Sequence, residues 1–119
     1  MERIKLFTYK GRKILRGDYT ELTPEEIIGI FRQVNRIAIK SDEKFYALVD
    51  FTGVPMDVKI IEFLQNDESR SAARHFIKTA AVGITGITRL GLNVYNRATR
   101  SDARAFRTEE EALSWFAEN

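Results

Sequence analysis

Two short, nearly unbroken apolar runs constrain this chain more than any other feature. Phe45-Tyr46-Ala47-Leu48-Val49 and Ala80-Ala81-Val82-Gly83-Ile84 carry no charge, and each stops at turn-forming residues, Asp50 to Pro55 and Thr85-Gly86. Runs of this length suit strands buried on both faces, as in a sheet covered by helices, whereas a one-sided sheet would alternate apolar and polar residues. The 119 residues and 44% hydrophobic content then predict one domain, residues 1–119, with enough chain for a core of its own.

The flanking segments fill in an α/β order. Ile4 to Tyr9 alternates with period two, Lys10-Gly11 marks a turn, and Lys13 to Arg16 returns, so a β-hairpin is predicted, with Gly17-Asp18 as its end. Thr23-Pro24-Glu25-Glu26 sets a hydroxyl, a proline and a glutamate in capping-box order. The helix behind it buries Ile27, Ile28, Phe31, Val34 and Ala38 and ends near Ile39. Asp57 caps a short helix with Val58, Ile61 and Leu64 inward that closes near Asn66, and a second helical piece carries Ala72, Ala73, Phe76 and Ile77 as its stripe, with His75 inside it. A helix around Leu90 to Tyr95 follows, weakened by about 1 kcal/mol at Gly91. Ala103 to Arg107 is a last strand, and Thr108-Glu109-Glu110-Glu111 opens the closing helix. No internal repeat is evident. The order β-β-α-β-α(α)-β-α-β-α predicts an α/β sandwich with a mixed sheet, four to five helices, and functional loops at Asp50–Asp57 and Gly83–Arg89.

Composition narrows the chemistry. With no cysteine and one histidine, disulfides, thiolate catalysis and a His–His metal motif are excluded within one chain. No phosphate loop, nucleophile elbow or dinucleotide fingerprint is present. No nucleophile is spaced to pair with His75, so no catalytic residue, metal or cofactor is predicted. The opening residues lack a signal-peptide run and no stretch approaches a membrane helix, so the expectation is a cytoplasmic protein. The net charge of +2 hides a division, because Ser69 to Arg107 holds eight basic residues against Asp102 alone. A solvated face and an anion-binding surface, with Arg70, Arg74 and Arg89 as its first candidates, both account for this segment. Aromatic residues there are too few for a stacking platform, which disfavours nucleic acid. Asp50, Thr52 and Gly53 sit where the first buried run ends. Asp50 suits either a cation or an Asx turn, and Thr52 either a phosphoryl group or the bend itself.

The segment Phe45 to Asp57 resembles the central strand and following loop of a STAS domain, the anti-anti-sigma-factor fold. Ala80 to Gly83, Arg104 to Phe106 and the closing segment Thr108 to Phe116 are similar to its SpoIIAA-like branch, so the resemblance spans nearly the whole chain. It implies a non-enzymatic, regulatory protein-interaction module with a partner surface over Thr52 to Leu64, including Asp57 and Lys59. It also implies that the family's loop aspartate corresponds to Asp57 and its phosphoacceptor position to Val58. Valine has no hydroxyl, and Lys59 and Ile60 also depart from the usual Ser-Gly, which leaves Thr52 as the substitute acceptor. A small anionic or lipid-like ligand is the alternative, and a homodimer through the edge hairpin stays open against its lysines and arginines.

Overall fold

A computed structural model describes residues 2–118 and contains five strands and five helices among them. β1 (Ile4–Tyr9) and β2 (Arg12–Asp18) form the antiparallel hairpin. Its two-residue turn holds Lys10 and Gly11 at φ 49° and 78°, the mirror-image turn whose twist matches that of the strands. β2, β3 (Phe45–Asp50), β4 (Phe76–Val82) and β5 (Arg104–Phe106) then lie parallel, in the order β1-β2-β3-β4-β5. Every crossover thus moves one strand onward in the same direction. Right-handed crossovers wound that way deposit all their helices on one face. Here these are α1 (Pro24–Lys40), α2 (Val58–Leu64), α3 (Asp67–Ala73) and α4 (Arg89–Thr99), which pack on one another. α5 (Glu109–Phe116) covers the other face, against β3, β4 and β5.

The predicted capping box closes α1: the Glu26 amide donates to Thr23 Oγ1 at 3.2 Å, and the Thr23 amide donates to Glu26 Oε1 at 2.9 Å. From there Ile27, Phe31, Val34 and Ala38 turn onto the sheet and are buried, while Ile28 is half-buried. Phe31 meets Tyr19, Phe51 and Phe63 with ring centroids 4.5, 5.8 and 5.8 Å away, so one α1 side chain ties together the ends of two strands and α2. On the other face Ala112, Trp115 and Phe116 pack on Ile14, Leu48, Ala80 and Val82.

The structure corrects four sequence-based expectations. β2 runs on through Gly17 and Asp18, because their pairing with Val49 and Asp50 continues the parallel ladder. Phe76 and Ile77 belong to β4, not to the preceding helix. Their spacing after Ala72 and Ala73 mimics a helical stripe, but the Phe45 amide donates to the His75 carbonyl at 2.8 Å and draws the segment into the sheet. His75 consequently sits in the turn before β4, outside any helix. The strand spans Phe76–Val82 rather than Ala80–Ile84, since Gly83 leaves the extended region at φ 80°. The two apolar runs are nevertheless adjacent inner strands, paired in parallel between helical layers.

Gly91, unfavourable for α4 by propensity, has a packing reason: a Cβ there would come within 2.7 Å of Met56 Cε. Truncation of the ring that joins both layers is costly, because the void cannot collapse between rigid elements. Phe31→Ala is expected to lower unfolding free energy by about 3–5 kcal/mol, read as a lower urea midpoint at unchanged slope.

Candidate partner and ligand site

Parallel strands deliver their carboxyl ends to one edge of the sheet. A local motif occurs there twice. Asp18-Tyr19-Thr20 ends β2, and Asp50-Phe51-Thr52 ends β3, one register step away, with Asp18 opposite Asp50. In each, the aspartate Oδ1 accepts from the threonine amide at 3.0 Å and from the threonine hydroxyl at 2.7 Å. In each, the aromatic residue donates its amide to the next strand: Tyr19 to the Asp50 carbonyl at 3.1 Å, Phe51 to the Val82 carbonyl at 2.8 Å. Strand alternation sends the carboxylates to the α5 face and the rings to the α1 face, where they meet edge to face at 5.1 Å. This is an internal repeat missed by the sequence reading, and the Asp-aromatic-Thr tripeptide was its visible signal.

Two register-paired carboxylates repel one another unless cations stand between them. Arg16 supplies one, with its guanidinium 3.6 Å from Asp50 Oδ2 and its Nε hydrogen-bonded to Glu109 at the start of α5. The Glu109 hydrogen bond, opposed by burial and aided by the charges of Glu109, Asp50 and Asp18, holds the Arg16 guanidinium more firmly protonated than usual. Arg3 lies 3.5 Å from Asp18 and donates to the Thr20 carbonyl at 2.6 Å. Burial pushes the Asp18 carboxyl up, but the hydrogen bonds from Thr20 and the charges of Arg3 and Arg16 outweigh it and leave it below its usual range.

The loop after β3 contains the predicted group. Asp50 forms an Asx turn through Thr52, Gly53 takes φ 73°, and Asp57 caps α2 by accepting from the Lys59 amide at 2.7 Å. Lys59 reaches Glu25 of α1 at 2.7 Å, both fully at the surface. The loop leans on the end of β4, since a Cβ on Gly83 would lie 2.4 Å from Thr52 Oγ1 and 2.6 Å from its Cα. After β4, Thr88 is buried and its hydroxyl accepts from the Thr85 amide at 2.7 Å, which leaves Arg89 exposed at the start of α4. Asp50, Thr52, Gly53, Asp57, Lys59 and Arg89 therefore share one edge of the molecule.

Arg70 and Arg74 do not join them. Arg70 pairs with Asp67 on α3, and Arg74 follows that helix at the amino end of β4, a strand's length of about 20 Å from the opposite edge. There Arg74, Lys78 and Arg100 line a groove of about 520 Å³ with Thr99, Ser101 and Asp102. The basic segment is thus divided between two ends of the molecule.

Val58, expected to face inward, is instead 69% exposed because it stands at the head of α2, and Ile87 and Leu90, not singled out as surface residues in the sequence, are 74% and 56% exposed among the charged loop residues. Val58 heads α2, and the contact of Met56 with Gly91 holds its loop beside the start of α4. Among the described residues no group of three or more His, Asp or Glu side chains is arranged to hold a metal ion, and no helix is long and apolar enough to cross a membrane.

Two measurements probe this edge. Gly83→Ala forces a side chain into both a left-handed backbone and the Thr52 backbone, so a loss of at least about 2 kcal/mol is expected in chemical denaturation. Because the Asp18 carboxyl is depressed in the folded state, its stabilisation is present above the unfolded value near 3.8 and lost as pH falls through the folded one. The stability difference between the native chain and Asp18→Asn is therefore expected to be largest near neutrality and to shrink in titrations below pH ~4.

No family model and no curated protein matches the chain. Among solved structures it is similar to an anti-sigma-factor antagonist (STAS) domain protein from Planctomyces limnophilus, with a TM-score of 0.59 at 18% identity, over 97% of this chain and 98% of that one. A likeness of that extent covers all five strands and the helices on both faces, and the chain accordingly has the STAS, SpoIIAA-like fold.

Proposed function

We propose that the chain is a non-enzymatic, regulatory protein-interaction module whose partner surface is the edge formed by the loops after β3 and β4. The observation that carries this reading is the exposed apolar group Val58, Ile87 and Leu90, set among Asp57, Lys59 and Arg89. Apolar side chains surrounded by charges are the arrangement of a docking patch, in which desolvated contacts give affinity and the charged rim gives orientation. The structural neighbour is an anti-sigma-factor antagonist domain, and an antagonist of a protein factor works through contact with protein. In this reading the module acts in the cytoplasm.

Val58 changes the character of the surface relative to the phosphorylated loops of the resemblance. A hydroxyl there would offer an on–off charge, whereas valine offers a permanent apolar contact at the head of α2. The Thr52 hydroxyl already donates to Asp50, so a phosphate on it would break the turn and face a carboxylate. Partner binding in this reading is set by concentration and surface fit, not by modification of the position equivalent to the family's acceptor.

Affinity capture from source-cell lysate tests the reading with the native chain, Val58→Asp and Ile87→Asp. Both side chains are exposed, so thermal midpoints are expected to stay within a few degrees of the native value. A protein retained by the native chain and lost at least tenfold from both variants supports the proposal. Equal recovery on all three overturns it.

A further inference from the structure

The α1 face of the sheet is built from unusually small residues. In register across β2, β3 and β4 stand Leu15, Ala47 and Thr79 in one row and Gly17, Val49 and Ala81 in the next. Above them the layer of helices is held off by large rings, because Tyr19, Phe31, Phe51 and Phe63 pack on one another. A small floor beneath a propped roof leaves a cavity of about 70 Å³, lined on the helix side by Phe31, Val34, Leu64, Leu92 and Tyr95.

Tyr19 brings a polar atom into this apolar space. Its side chain is fully buried and its hydroxyl has no hydrogen-bond partner among the described residues. The hydroxyl lies over Gly17, where an added Cβ would stand 2.7 Å from it, so the glycine makes room for the tyrosine on the floor. Buried hydroxyls in folded proteins almost always have a partner, and an orphan one points to a group that belongs beside it.

We propose that this cavity binds a small neutral organic molecule of a few carbon atoms carrying a carbonyl or ether oxygen, which accepts the Tyr19 hydroxyl proton. Neutrality follows from the lining, which contains no charged side chain to compensate an ion stripped of water. Size follows from the volume, which exceeds the roughly 15 Å³ that admits one water and is about half that of the ~150 Å³ cavity known to accept benzene. The single oxygen follows from the single orphan donor. None of the docking residues Val58, Ile87 and Leu90 lines this site, so it stands or falls independently of the partner surface.

The test is an amide NMR titration of the full chain with 2-butanone. Saturable shifts are expected at Gly17, Ala81 and Gly91, and Tyr19→Phe is expected to weaken binding roughly threefold to tenfold, the worth of one hydrogen bond. Ala81→Leu and, separately, Ala47→Val fill the floor and are expected to abolish the shifts while the amide spectrum stays dispersed. The use of two filled variants protects the test against one that fails to fold. Absence of saturable shifts in the native chain overturns the proposal, as does equal affinity in Tyr19→Phe or binding that survives in both filled variants. A cavity that holds water alone, seen as water–amide cross-peaks without saturable shifts, also overturns it.

Discussion

The handedness of the crossovers governs this molecule. Once β2 to β5 follow one another without reversal, right-handed connections place α1 to α4 on a single face and leave the opposite face to whatever follows β5. α5 fulfils that requirement with Ala112, Trp115 and Phe116. The same winding removes any point where the strand order reverses, so the sheet has no crevice between diverging loops of the kind that holds ligands in doubly wound folds. What the carboxyl edge offers instead is a row of loops side by side. A row suits a macromolecular surface better than a small-molecule cleft.

The two Asp-aromatic-Thr turns show how such a row is made rigid. Each turn satisfies its own backbone through the aspartate, extends the ladder by one more hydrogen bond, and drives a ring into the core. Arg16 and Arg3 neutralise the carboxylates brought together by the register, and Glu109 ties Arg16 to α5, so the edge is braced from both layers. The polar groups singled out in the sequence thus serve the architecture of the edge. The apolar residues between them, Val58, Ile87 and Leu90, stay exposed.

Much of the candidate site was legible in local chemistry. The Asx turn at Asp50 and the cap at Asp57 depend on a side chain and amides within two residues, and both formed as their residue types imply. The repeat and the apolar trio were not legible, for different reasons. Arg16, Asp18, Asp50 and Glu109 are far apart in the chain and meet only through strand register and the docking of α5. Val58 and Ile87 look like core residues by composition, and only the packing of the helix layer leaves them outside. The basic segment likewise reads as one block, but β4 runs between its parts and carries Arg74 and Arg89 to opposite ends.

What the sequence determined by itself were the features whose energetics are local: the hairpin turn at Lys10-Gly11, the caps at Thr23, Asp57 and Thr108, and the two apolar runs that had to become inner strands. Tertiary structure decided where competing local preferences were nearly balanced. Phe76 and Ile77 fit a helical stripe as well as a strand, and the open backbone groups at the start of β3 settled the matter in favour of the sheet. The cavity under α1 belongs to the same class, because small floor residues become a void only when rings from elsewhere hold the roof away from them. Turns and caps are written within a few residues, whereas space between layers is a property of elements that meet from across the chain.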